Sequence, residues 1–201
     1  MAQVLRHRPG MRLIRATGIA LIVATTGACG GSPASPSGTG SVSMMLKDSP
    51  YSDAKSLLVT FSDVSVHRDD QAADTWTKLP FAVGSARTCD LKKLVTAQDI
   101  LGVGTLAAGH YTQIRLTVTS AALYFDAAAE GAACAETITA PSGNNASVEI
   151  PSGVVKLNRE FTVPSGGSTT ILLDFDGDKS VNQTGNGRYM MSPVISVVSV
   201  S

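Results

Sequence analysis

From residue 41 onward the chain alternates apolar and polar residues with a period of two, which is the signature of half-buried β-strands. "SVSMML" puts Val42, Met44 and Leu46 on one face. "SLLVTFSDVSVH" places Leu57, Val59 and Phe61 on one parity and Val64 and Val66 on the other, a slip that predicts a β-bulge near Ser62–Asp63. "DTWTKLPF" reads as a short strand with Trp76 in the core or at its edge. In "YTQIRLTVTSAALYF", Ile114, Leu116 and Val118 alternate with Gln113, Arg115, Thr117 and Thr119, so one face of that strand is wet. "ASVEIPSG", "VKLNREFTV", "STTILLDFD" and "RYMMSPVISVVSV" continue the pattern, separated by Gly-, Pro-, Ser- and Asn-rich turns. Asn186-Gly187 is a tight-turn signal, "LKKLVTAQDILG" is the one short helix or turn, and "AAAEGAACAE" is a surface loop pinned at Cys134. The expectation is a mainly β fold: a single antiparallel β-sandwich of about eight or nine strands with one short helix or turn. Its last strand, "VISVVSV", risks edge pairing unless a neighbour covers it.

The N-terminus changes the picture from fold to address. Residues 1–28 carry Arg6, Arg8, Arg12 and Arg15, no acid, and then "ATGIALIVATTGA", a run too short to span a bilayer as a helix. The site "TGAC" resembles a bacterial lipobox, with Thr26 where the pattern prefers Leu and Cys29 as the residue that takes lipid, palmitate included. Ordinary secretion with cleavage near Ala28 is the other reading. Residues 29–40 form a Gly/Ser/Pro tether with a reach of roughly 15–20 Å, and residues 41–201 are the β-sandwich domain. Gly30 stands where an inner-membrane retention Asp would, which leaves the outer membrane or cell surface open. The expected location is therefore a bacterial cell envelope, with membrane contact through lipid on Cys29.

Removing the leader also alters the charge. Twelve basic residues then stand against sixteen acidic, a net charge near −4 without a basic run, so nucleic acid is not an expected partner. With Cys29 assigned to lipid, Cys89 and Cys134 remain as a pair in an oxidising compartment, and a disulfide between them is expected; two unpaired buried thiols are the alternative.

Several blocks go beyond generic strand patterning: "LKDSPYSDAKSLLVTFSDVSVHRDD", Trp76, "CDLKKL", "LAAGHYTQIRL", "IPSGVVKL" and "LLDFDGDKSVNQTGNGRYMMSPVI", in that order. Together they resemble the domain of unknown function 4382 family of bacterial and archaeal lipoproteins, over about Val42 to Val198. The resemblance implies an exported, mainly β domain and supplies no activity. Asp178 and the Cys89/Cys134 pair stand outside its pattern, so any role for them belongs to this chain.

The candidate chemistry is sparse. Asp174, Asp176, Asp178 and Ser180, spaced two apart, offer four oxygen-bearing side chains to a calcium ion, with Asp48 or Asp63 able to join from neighbouring strands. An EF-hand is excluded, because Gly177 falls fourth in the loop and Gly185 twelfth, with no helices around them. The competing and favoured reading is the polar end of a strand, with Arg115 as a partner for Asp174 or Asp176. His67 and His110 lack zinc-ligand spacing, and no nucleophile elbow, phosphate loop or dinucleotide fingerprint is present. No cofactor is expected beyond that calcium option. Tyr111, Tyr124 and Tyr189 could present a surface to a carbohydrate or protein ligand, although tyrosines at strand ends also cap cores. The function expected is a binding, adhesion or structural module. The alternative is an envelope hydrolase whose pocket gathers His67 or His110 with a Ser and an Asp.

Overall fold

The structure, a computed structural model, describes residues 37–49 and 51–201, so the leader, Cys29 and most of the tether lie outside the described residues. Thirteen strands are present among them: β1 (Thr39–Ser49), β2 (Ser56–Arg68), β3 (Thr77–Lys78), β4 (Arg87–Asp90), β5 (Asp99–Ala107), β6 (Gly109–Tyr124), β7 (Cys134–Ala135), β8 (Asn145–Glu149), β9 (Val154–Val163), β10 (Ser168–Asp176), β11 (Val181–Gln183), β12 (Tyr189–Met191) and β13 (Ile195–Val200). One 3₁₀ turn, Leu91–Leu94, realises the short helix expected in "LKKLVTAQDILG", and a single α-helical turn, α1 (Gly177–Ser180), follows β10.

The strands build two sheets in a sandwich-like arrangement. The smaller runs β13-β10-β1-β5; the larger runs β11-β12-β8-β6-β2-β4-β7, with β9 also on β6 and β3 also on β2. Both sheets are mixed. β1 pairs with β10, and β12 with β8, in parallel, where an antiparallel arrangement was expected. Alternation reports which face a residue occupies and is blind to strand direction. The parallel pair also joins strands from opposite ends of the domain, Ser41 with Ser168 through Ser49 with Asp176.

The parity slip in β2 is real. Its register against β6 shifts on either side of Phe61 and skips Ser62, so Leu57, Val59 and Phe61 before it and Val64 and Val66 after it all reach the core. Opposite them, Met44 and Leu46 of β1 and Ile171, Leu173 and Phe175 of β10 close the interior. Phe61 and Phe175 meet edge to face across the sheets, with ring centroids 6.3 Å apart. Cys89 and Cys134 sit directly opposite each other on β4 and β7 and form a disulfide, closing the loop at a sequence separation of 45. Asp90, fully buried, accepts from Ser56 Oγ, Leu57 N and Lys92 N, which fixes the start of the 3₁₀ turn against β2.

"RYMMSPVISVVSV" is two strands rather than one. The chain leaves the larger sheet after Met191, passes Pro193 and enters the smaller sheet as edge strand β13, which pairs only with β10. Asn186 and Gly187 form the tight turn between β11 and β12, Gly187 with φ of 77°.

Candidate functional site

The four oxygen-bearing residues of "DFDGDKS" are not gathered round a common point. Asp174 and Asp176 do face outward from β10, but each has its own partner. Asp174 accepts from Lys47 Nζ at 2.9 Å, its register neighbour on β1. Asp176 caps α1 through Lys179 N at 3.0 Å and also pairs with Lys179 Nζ, contacts that hold its carboxyl below the usual range. Asp178 accepts from Ser52 N at 3.1 Å. Ser180 is fully buried; its hydroxyl donates to Asp176 O at 2.5 Å and accepts from Val194 N at 2.8 Å. The chain turns helical at Gly177, so the two-residue alternation that would align the four ends there. Among the described residues no group of three or more His, Cys, Asp or Glu is placed to hold a metal ion. Arg115 lies on the other sheet and contacts none of these aspartates, contrary to the cross-strand pairing expected.

Asp48 is the exception to this orderly pairing. It continues the inward parity of Val42, Met44 and Leu46, is 4 % exposed, and neither carboxylate oxygen completes a hydrogen bond. Burial lifts its pKa to about 8, and the charges of Asp174 and Asp176 add to the rise, while the Gly177 amide and Lys92 pull it down. Lys92 Nζ itself is engaged by Tyr51 O at 2.5 Å.

The histidines part company. His110 Nδ1 lies 3.1 Å from Asp69, but its Nε2 faces Glu160 at 3.9 Å, where a nucleophile's hydroxyl would have to stand. The open cleft beside it, about 530 Å³, has Thr162 as its one hydroxyl-bearing lining residue and no serine. His67 Nδ1 meets Thr75 O at 2.9 Å.

The tyrosines do not share a surface. Tyr111 is 1 % exposed, stacks on Phe161 at 5.1 Å and donates its hydroxyl to Ala107 O, so it is a core residue and not a ligand contact. Tyr124 is half-buried at the end of β6, and Tyr189, half-buried on β12, leans on Phe125 at 5.8 Å. Strand β8 separates those two strands.

Another half-buried aromatic group is Trp76, placed by sequence in the core or at its edge. On the approach to β3, Thr77 pairs with Val66 and Lys78 with Ser65, so Lys78 faces outward, Leu79 faces the core and Trp76 shares the outward parity. The indole is half-buried over the wet face of the larger sheet. It packs on the His67 ring at 5.5 Å and under the Arg115 guanidinium, 4.3 Å from the ring centroid. To touch both it must cross β2 at Ser65, whose small side chain is fully buried.

Register orders the rest of this face into rows. Lys78, Ser65, Arg115 and Lys156 lie on one line across β3, β2, β6 and β9, with His67, Gln113 and Asn158 on the next. Arg115 and Lys156 are directly opposite like charges, which costs stability. Neither makes an ion pair among the described residues, because the nearby Asp63 is engaged by Lys78 at 3.0 Å and by Ser65 Oγ at 2.8 Å. The signal for this face was in the sequence: Trp76 and Lys78 alternate with Thr77 and the buried Leu79.

Comparison with curated proteins and with solved structures finds no match. The pattern of one family covers residues 39–193, from the start of β1 to the crossing before β13, and by that match the chain belongs to the family described as Domain of unknown function (DUF4382).

Proposed function

We propose that this chain is a lipid-anchored module of a bacterial cell envelope that binds a carbohydrate or protein ligand through the outer face of its larger sheet. The observation that carries the reading is Trp76. The only Trp of the chain lies outside the core, propped on the wet face by His67 and Arg115. The indole is half-buried against these two props, and the part they leave exposed offers an apolar surface beside polar groups. The anchoring half rests on the basic leader, the short apolar run, the lipobox-like "TGAC" and the flexible tether.

The test separates the halves. The full chain expressed with its own leader in a bacterial host is expected to incorporate a palmitate analogue and to sediment with membranes, and Cys29→Ser to lose both. Purified in detergent and passed over arrayed polysaccharides and envelope proteins, it is expected to be retained by at least one ligand in a manner weakened by Trp76→Ala. Retention indifferent to Trp76 on every ligand would remove the binding half; a Cys29→Ser chain that still takes up lipid would remove the anchoring half.

A further inference from the structure

We infer that the ligand face around Trp76 is a subsite for a carboxylate-bearing sugar, with the sugar ring against the exposed part of the indole and the carboxylate held by Arg115 and Lys156. This rests on the proposed binding role of that face and names its ligand class.

The charge arrangement is the first argument. Directly opposite cations on adjacent strands repel, and neither is in an ion pair among the described residues, the nearby Asp63 being taken by Lys78. An anion seated between them removes the repulsion and supplies the missing partner. The state of Arg115 is the second. Its guanidinium lies over the indole and makes no side-chain hydrogen bond or ion pair among the described residues, and its N–H groups can meet a carboxylate in a two-pronged contact. The third is the company it keeps. Gln113 and Asn158, one row away, carry amide groups that can both donate to and accept from sugar hydroxyls, and His67 borders the indole. An apolar surface, a carboxylate fork and amides on neighbouring strands of one sheet face fit an acidic sugar ring. A bare phosphate would use the cations and leave the indole idle.

Because Trp76 is the only Trp, its emission reports directly on the proposed contact. The full-length lipidated chain in detergent is titrated with oligogalacturonate, with neutral dextran oligomers and with tripolyphosphate. Oligogalacturonate is expected to change the emission and to bind at least about tenfold more tightly than the other two, with affinity falling as salt screens the exposed cations. Arg115→Ala and Lys156→Ala are each expected to weaken it about tenfold, and Arg115→Lys to recover only part, because an ammonium keeps the charge without the fork. Cooperative unfolding transitions establish that the variants are folded, and Trp76→Phe preserves an aromatic surface should Trp76→Ala lose its fold. Equal affinity for tripolyphosphate would reduce the site to an anion contact and overturn the inference. Trp76-dependent binding of dextran, or of a protein, that ignores Arg115 and Lys156 would end the inference while the binding role stood. Absence of Trp76-dependent binding to any ligand would end both.

Discussion

Asp48→Asn tests whether the buried, unpartnered carboxyl of β1 sets the pH dependence of stability. The folded state lifts Asp48 from 3.8 to about 8, roughly four units at 1.36 kcal/mol each, which gives a ceiling of about 5–6 kcal/mol. Relaxation and water entry around a buried ion reduce such a ceiling, and about 2–3 kcal/mol is the expected net effect. Below pH 3.8 both states hold the proton and the carboxyl has no effect on pH dependence. Between 3.8 and about 8 the folded state keeps a proton that the unfolded state has released, so stability falls as pH rises. Above pH 8 both states are ionised and the loss is complete. Asp48→Asn keeps the shape and removes the titration. Urea unfolding of both proteins between pH 4 and pH 9 should therefore give similar stabilities at the acid end and a variant ahead by about 2–3 kcal/mol at the alkaline end. Titrations shared by the two proteins cancel in that difference. A difference that does not change with pH would refute the reasoning. So would a wild type that is the more stable at pH 9, the outcome if Lys92 leaves Tyr51 O to neutralise Asp48.

Other outcomes follow from the packing. Replacing Cys89 and Cys134 by Ala opens a loop with a sequence separation of 45 and should cost roughly 3–4 kcal/mol, read from urea midpoints of the oxidised wild type and the double variant; a cost below about 1 kcal/mol would mean that the unfolded chain is not restrained by that bond. Ser180→Ala strips Val194 N of its acceptor in a part-buried setting and should cost about 1 kcal/mol, with faster amide exchange at Val194 as its local mark. Millimolar calcium should leave the unfolding midpoint where chelator puts it, because Asp174, Asp176 and Asp178 are each engaged elsewhere. A rise of about 5 °C that disappears in Asp174→Asn with Asp176→Asn would falsify that statement.

Strand faces were legible because burial on a strand obeys a period of two, and even the bulge in β2 showed as a slip in that period. What alternation does not encode is partnership. Nothing in "SVSMML" names β10 as its neighbour, since the two strands meet only through contacts between chain segments 127 residues apart. The same limit hid the crossing at Pro193, where one apolar pattern continues while the chain changes sheet. Two side chains were legible and misjudged. Asp48 was offered as a further ligand beside Asp174 and Asp176, yet it follows Val42, Met44 and Leu46 in parity and is buried with them; backbone geometry prevailed over side-chain polarity. Trp76 was placed in the core or at its edge, although Leu79 already fills the core on the opposite parity. The calcium option relied on strand spacing persisting past Asp176, and the helical turn at Gly177 ends it.

The central position of β1 bears on how the domain carries mechanical load. A pull reaching Thr39 from the residues before it runs lengthwise down a strand bonded on both flanks, with nine register positions against β10 and eight against β5. The bonds on both sides are then sheared together, whereas an edge strand such as β13, pulled away sideways, would unzip one bond after another. A module drawn between a tether at that strand and a ligand gripped on the opposite sheet would resist force as a unit, and its rupture would begin in the grip or the tether before it began in the fold.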